Sequence, residues 1–328
     1  MIPDAMSAIA IDGDKGPAEA LKMVQIATPS PGVGQILIKV HAAGVNRPDL
    51  IQRMGFYPPP PGSPATLGLE VAGEVAAVGA EAARWNLGDT VVALLGGGGY
   101  AQYAVVDARH ALPIPKGFDD VHAAGLPETV FTVYVNAFEH GGLKAGETLM
   151  IHGATSGIGV TAIQMAKAAG AKVIATGRGA DKAAEAIKLG ADVAVDTTTQ
   201  DFVAVAAANG GVDVILDMVA GPYFPKNLDA LKTGGRLVHI ASQAGAVVEL
   251  PIMKIMQKRL VITGSTLRPR DADEKARIVA AVERVVWPWI EAGKIKTVID
   301  RTYPLAQAGA AHARLEAGGH VGKVVLTV

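Results

Sequence analysis

The rhythm of hydrophobic and polar positions changes about 130 residues into the chain. Before that point, short runs rich in Val, Ile and Leu recur between turn residues: Leu21–Ile26, Gln35–Ala42, Val71–Val78, Thr90–Leu95 and Tyr100–Val106. Pro29, Pro31, Gly32, Gly34, Pro58–Pro61, Gly62 and Gly96–Gly99 punctuate them, and helix signals are sparse before Asp119. This predicts a mostly antiparallel β domain over residues 1–128. Further on, apolar runs alternate with helix-period segments. Strands are expected at Leu149–Ile151, Lys172–Thr176, Val193–Asp196, Val212–Met218, Arg236–Ala241 and Leu260–Gly264. Helices are expected after Gly157 and at Asp181–Leu189, Asp201–Asn209, Asn227–Lys232 and Pro251–Lys258. That alternation predicts an α/β fold, a doubly wound parallel sheet over residues 129–268. Residues 269–328 start with a predicted helix, Ala272–Ala292, and pass through Thr297–Tyr303 and a helical Leu305–Glu316. They end in a strand, Lys323–Val328, and are expected to return to the first domain.

One segment joins this pattern to chemistry. Leu149–Ile151 runs into a glycine turn (Gly153, Gly157, Gly159) and then a helix whose Ile158, Ala162, Ile163, Met165 and Ala166 share one face. A strand, a tight turn and a helix N-terminus form a site for a dinucleotide pyrophosphate, because backbone N–H groups and the helix dipole both favour an anion. Glycines let the phosphates approach the backbone. Ser156, Gly157, Ile158 and Gly159 are therefore candidate cofactor contacts. In such folds an acidic residue at the end of the second strand selects NAD by binding the ribose hydroxyls. Here the strand ends in Gly177 and Arg178, with Lys182 one helical turn later. A guanidinium suits a 2′-phosphate that a carboxylate would repel, so the cofactor is expected to be NADP(H). The alternative is that Arg178 is a solvated surface cation. Asp181 is expected as a helix N-cap. Ligands of open α/β sheets sit at the carboxyl ends of the strands. This adds Asp217, Met218, Ala241, Ser242, Gln243, Leu267 and Arg268 to the candidate contacts.

Composition narrows the classes. The 328 residues suffice for two domains, and 30 basic against 31 acidic side chains nearly cancel, with no cationic block to suggest nucleic acid. Half of the residues are hydrophobic, yet no apolar run is long enough to span a bilayer, and the N-terminus lacks a basic n-region. A cytoplasmic protein is the expectation. There is no cysteine, so disulfides, thiolate catalysis and cysteine-ligated zinc are excluded. The eight histidines are scattered without metal-ligand spacing, so no metal is expected.

The chain resembles the zinc-free branch of the medium-chain dehydrogenase/reductase superfamily, and within it the zeta-crystallin-like NADPH:quinone oxidoreductases. The resemblance runs through Pro29–Gly62, Leu67–Gly79, Pro127–Thr132 (PETVFT), Gly146–Lys167 and Gly322–Leu326, in the family's order. It implies a GroES-like β domain beside a Rossmann domain, and hydride transfer from NADPH to a quinone carbonyl in the interdomain cleft. A homodimer is also implied. The zinc-ligand positions of relatives are filled here by Asn46 and by Leu69 of Gly68-Leu69-Glu70, and Gly96–Tyr100 stands where the four-cysteine lobe would be. Ser156 replaces a glycine common in the family, Thr197 stands where a tyrosine is frequent, and Gly318 and Gly319 replace an arginine, for which Lys323 is a candidate substitute.

Hydride transfer leaves the protein to supply orientation and electrostatics, with donors placed where the substrate oxygen gains charge. The resemblance implies Asn46 and Tyr57 as those donors, and Thr132 beside the nicotinamide. The alternatives are a turn residue capping its own backbone for Asn46, a ring packed among prolines for Tyr57, and a helix hydroxyl bonding back to a carbonyl for Thr132. Phe56, Tyr57 and Leu267 are candidates for a flat apolar slot. A short-chain dehydrogenase would share the glycine pattern, but no Tyr is followed four residues later by Lys. An enone, alkenal or enoyl-thioester reductase, or a non-catalytic NADPH- or RNA-binding protein, are the remaining alternatives.

Overall fold

Ile36, Ile38 and Val40 stand two residues apart on one strand, so they share a face and enter a common core. In the computed structural model, which describes all residues from 1 to 328, this strand is the spine of the first of two compact units. That unit comprises Met1–Thr129, Leu267–Glu291 and Thr297–Val328. Its strands are β1 (Ala5–Ile11), β2 (Leu21–Ala27), β3 (Gln35–Val45), β4 (Glu70–Val78), β5 (Thr90–Leu94), β6 (Tyr103–Asp107) and β7 (Ala111–Pro113). β1 and β2 form a separate antiparallel pair. β3 is flanked by β4, β6 and a strand from the C-terminal end of the chain. Val71, Val91, Val324 and Leu326 join the same core. Each such side chain contributes about 1.5–3 kcal/mol on full burial.

The second unit comprises Val130–Thr266 and Ala292–Lys296. Its strands are β8 (Thr148–His152), β9 (Lys172–Gly177), β10 (Val193–Asp196), β11 (Val212–Asp217), β12 (Leu231–His239) and β13 (Val261–Gly264), ordered β10-β9-β8-β11-β12-β13 and all parallel. The order reverses direction between β8 and β11, the switch point where doubly wound sheets bind ligands. Met150, Ile174, Val195, Ile215 and Leu237, one from each of five neighbouring strands, form its core with Phe202, Phe224 and Leu228 from the covering helices. Gln164 ties the short returning segment to this unit through both the carbonyl and the amide of Lys296.

The remaining strands, β14 (Ile299–Pro304) and β15 (Lys323–Thr327), belong to the first unit, where β15 pairs antiparallel with β3. Several expectations need correction. A helix, Arg47–Arg53, occupies a region where helix signals are sparse; Pro48 at its start fits a first helical turn. Leu231 and Lys232 open β12 rather than closing a helix, which ends at Ala230. Tyr100 precedes β6, because its fully buried ring is directed to a polar cluster. The helix expected over Ala272–Ala292 is two, Ala272–Val285 and Trp287–Glu291; Pro288 lacks the N–H needed to continue the first. Asp181 lies inside its helix, which Gly179 caps at φ 97°. Leu267 and Arg268 fall in the first unit rather than closing the second.

Candidate active site

In the second unit the site begins at the glycine turn. The Ser156 hydroxyl accepts from the Gly159 amide at 3.0 Å and donates to the Gly153 carbonyl at 2.8 Å, so it caps the helix Gly157–Ala168. A Cβ on Gly159 would lie 2.3 Å from the Gly153 carbonyl oxygen, so only glycine lets helix and strand approach this closely. The first-turn amides of this twelve-residue helix have no partners inside it. Met218 sits over the turn, its sulfur 3.8 Å from the Ser156 hydroxyl, and its carbonyl accepts from the Gln243 amide. At the tip of β9, Gly177 is buried and Arg178 is exposed without a hydrogen bond or ion pair, so its guanidinium is available. Asp196 holds this corner by accepting from the Gly179 amide at 2.8 Å. These groups fit a dinucleotide: a cradle that a Cβ would fill, a helix N-terminus, and a cation for an additional phosphate.

Beneath these loops runs a buried polar chain. His152 is fully buried, with Nδ1 2.9 Å from the Thr176 hydroxyl and Nε2 2.7 Å from Asn227 Oδ1. Asn227 Nδ2 donates to Asp217 at 3.0 Å, so Oδ1 accepts from His152 and the histidine proton sits on Nε2. Burial holds the His152 pKa low, which keeps it neutral. Asp217 accepts from the Val219 and Ala220 amides and is itself fully buried. Burial pulls its pKa up, but His239, His152 and those amides outweigh burial and hold it below the usual range. Asp217 is therefore corrected from a cofactor contact to the residue that shapes the loop after β11.

In the first unit, three groups meet around the buried carboxylate of Glu70. Its Oε1 accepts from Lys323 Nζ at 2.6 Å and from Asn46 Nδ2 at 2.8 Å, and its Oε2 accepts from the Glu128 amide at 2.8 Å. Lys323 also donates to Asn46 Oδ1 at 2.5 Å. A Cβ on Gly44 would lie 1.9 Å from Glu70 Oε1, so this glycine makes room for the carboxylate. Next to it, Asp49 accepts from the amides of Asn46 and Gly68 and from the Tyr100 hydroxyl. Burial pushes the Asp49 pKa up to about 6. Tyr100 meets His312 Nε2 at 3.2 Å, and His312 Nδ1 faces Arg53 at 3.3 Å. Arginine has only donors, so Nδ1 accepts and Nε2 carries the proton. Burial, then the charge of Arg53, pushes His312 down to about 3.

At the edge of this cluster Tyr57 is half-buried, with the Arg268 guanidinium 5.3 Å from its ring centre. The Tyr57 hydroxyl makes no hydrogen bond within the chain. Arg268 is fixed by the Gly96 carbonyl at 2.9 Å and Gln52 Oε1 at 2.8 Å.

Comparison with known proteins places this geometry. Residues 32–116 match the alcohol dehydrogenase GroES-like domain, and residues 189–326 match the family described as zinc-binding dehydrogenase. Human quinone oxidoreductase is 32% identical over 317 residues, covering 95% of this chain and 94% of that protein. The chain belongs to the quinone oxidoreductase family of the medium-chain dehydrogenases/reductases. Acryloyl-coenzyme A reductase of Sulfurisphaera tokodaii is 29% identical over 340 residues, 95% of this chain and 97% of that one. The structure of Escherichia coli quinone oxidoreductase complexed with NADPH superposes with a TM-score of 0.87 at 29% identity, over 98% of this chain and 100% of that one.

In this member of the family, Ser156, Gly157, Ile158, Gly159 and Met218 meet at one turn. Gly177, Arg178 and Lys182 gather at the next strand end, and half-buried Ala241 with exposed Ser242 and Gln243 at a third. Leu267, Arg268 and Lys323 lie in the first unit. Lys323 is corrected from a cofactor contact, because its side chain is 5% exposed and its ammonium is bound to Glu70 and Asn46. Asn46 likewise spends its amide on Glu70, Lys323 and the Gly44 carbonyl, so it orders the cluster rather than offering a free donor. Leu267 is 8% exposed and Phe56 79% exposed, which gives no shared slot with Tyr57. Thr132 is half-buried on the helix Pro127–Val133. Glu70, Glu128, Asp49 and Tyr100, together with His152 and His312, escaped sequence reasoning; Glu70 and Glu128 stand in segments that carry the family resemblance, but nothing in the sequence gave them a role. No three His, Asp or Glu side chains are grouped to hold a metal ion. No helix is long and apolar enough to cross a membrane.

Proposed function

We propose that this protein is a zinc-independent NADPH:quinone oxidoreductase. The observation that carries the reading is the match to quinone oxidoreductases across 95% of the chain, joined to a site without a metal-ligand group. The cofactor is NADP(H): Ser156, Gly157, Ile158 and Gly159 offer backbone donors to its pyrophosphate, and Arg178 with Lys182 takes the 2′-phosphate. Met218, Ala241, Ser242 and Gln243 border the same strand ends. When bound, NADPH supplies the hydride. Tyr57, with its ring held against Arg268 and its hydroxyl unpaired, is the donor aimed at the substrate oxygen, and Thr132 orients the nicotinamide. Asn46 acts one step back by fixing Lys323 and Glu70.

A second reading, reduction of an enone or enoyl thioester, draws support from the likeness to acryloyl-coenzyme A reductase. Steady-state oxidation of NADPH and NADH with benzoquinone, phenanthrenequinone and an enone, with and without a chelator, separates the two. Chelator-insensitive NADPH turnover with a quinone is the expected outcome; turnover with the enone alone replaces the first reading by the second.

A homodimer formed through the second unit completes the proposal. β13 is the outer strand of its sheet, where Val261 is 51% exposed, and the helix that precedes it exposes Ile252, Met253 and Met256 at 54%, 64% and 63%. An unpaired edge bordered by apolar side chains invites a second copy. Sedimentation equilibrium is expected to give twice the chain mass, and Val261→Asp with Met256→Asp the single mass.

A further inference from the structure

Three carboxylates crowd into the polar cluster of the first unit, and they are not equally served. Asp49 accepts two backbone amides and the Tyr100 hydroxyl. Glu70 accepts Lys323, Asn46 and the Glu128 amide. The Glu128 carboxyl accepts nothing from the chain. The helix start places it there, because its own backbone N–H is tied to Glu70 at 2.8 Å. It is half-buried, so it is also not fully solvated. The charged and titratable groups facing it are Asp49 and Tyr57 from the helix Arg47–Arg53 and the loop after it, Glu70 from β4, and Lys323 from β15. Arg268 and Lys275 face it from the C-terminal segment. Lys323, the cation inside the cluster, is already committed to Glu70.

We infer that Glu128 holds the proton that this site delivers to its substrate. The inference rests on the reductase reading given above. Ionising a third carboxylate beside Glu70 and Asp49 is opposed by both burial and like charge, so Glu128 keeps its proton near neutral pH. Burial first, then the charge of Glu70, pushes its pKa up to about 8, where an acid can both give and recover a proton. Its position beside Tyr57 gives the proton an outlet at the half-exposed face of the cluster. The balance is simple. The quinone gains a hydride, with its electron pair, from NADPH. The Glu128 O–H bond breaks as a new O–H bond forms on the quinone oxygen. The products are hydroquinone and NADP⁺, and the carboxylate then takes a proton from water. Tyr57 acts as a hydrogen-bond donor and stays protonated, since burial and Glu128 both raise its pKa above the ordinary phenol value.

The test uses Glu128→Gln and Glu128→Asp in the full chain, with phenanthrenequinone as acceptor and infrared titration of the cofactor-free protein. Glu128→Gln is expected to lower kcat about 100-fold, the low end of what a positioned acid contributes, while leaving KM for NADPH unchanged. The wild-type kcat profile is expected to fall as pH rises through about 8, a limb that Glu128→Asp retains and Glu128→Gln loses. The infrared spectrum is expected to hold a protonated-carboxyl band at neutral pH that titrates in the same range and is missing from Glu128→Gln. Unchanged kcat with an unchanged alkaline limb in Glu128→Gln overturns the inference and leaves the reductase reading intact. Failure of the wild type to oxidise NADPH with any quinone overturns that reading instead. In that case the infrared band still decides whether Glu128 carries a proton, and its absence overturns the inference independently. Matching circular dichroism of the variants excludes misfolding as the cause.

Discussion

Each unit of this molecule hides a histidine in a single tautomer, and each histidine leads to a buried aspartate, yet the two chains have opposite characters. In the second unit His152 passes through Asn227 to Asp217, which takes loop amides and stays ionised. In the first, His312 passes through Tyr100 to Asp49, which shares its surroundings with Glu70 and Glu128 and is pushed up to about 6. The difference lies in what answers the carboxylate. Amides aimed by the loop that Asp217 itself shapes fix one charge state, and the chain becomes scaffold. Several carboxylates around one ammonium leave protons to be redistributed, and the cluster becomes a place for proton chemistry.

The largest expected effect comes from removing that ammonium. Lys323→Met leaves Glu70 buried without its cation and should cost about 3–5 kcal/mol in urea unfolding. Adding Glu70→Gln should recover a large part of the loss, and no recovery would mean that Lys323 acts through packing alone. Next is Arg178, outside both chains. Arg178→Ala should weaken NADPH about ten- to a hundred-fold by calorimetry, in line with about 1.5–3 kcal/mol for hydrogen bonds to a charged group, and leave NADH almost unchanged. Equal losses for both nucleotides would remove the 2′-phosphate role. Within the scaffold chain, Asn227→Ala strands His152 and Asp217 together and should cost about 1–3 kcal/mol, with faster amide exchange at Val219 and Ala220. Unaltered exchange there would show that the loop holds its own shape.

The last prediction is a pH dependence with a fixed sign. The Glu128 pKa is raised in the folded state from 4.5 to about 8, so the stability tied to its proton is complete below about 4.5 and is lost as pH rises through 8. Glu128→Gln keeps a neutral group throughout. It should match the wild type in thermal midpoint at pH 4.5 and exceed it at pH 9. A constant offset across that range would contradict the elevated pKa.

The parallel sheet was legible because each of its strands is a compact apolar run followed by a helix-period segment, a local signal that packing reinforces. The dinucleotide turn was legible for a related reason: Ser156, Gly157 and Gly159 act through the backbone of consecutive residues. The cluster of the first unit was not. Asn46, Glu70, Glu128 and Lys323 are separated by tens to hundreds of residues and meet only because β3, β4 and β15 lie in one sheet. The strand-end position of Asp217 and the likeness of Lys323 to a family arginine both point to cofactor contacts, but sequence spacing carries no information on which way a buried charge turns.

Sequence by itself determined the two kinds of sheet and the cofactor cradle, since each rests on periodicity or on neighbours along the chain, and its motifs carried the resemblance to the family. Only the tertiary structure decided which polar residues face each other. The pairing of Lys323 with Glu70, the tautomers of His152 and His312, and the unpartnered carboxyl of Glu128 all depend on distances of a few ångströms between remote segments, over which burial and charge set the protonation state.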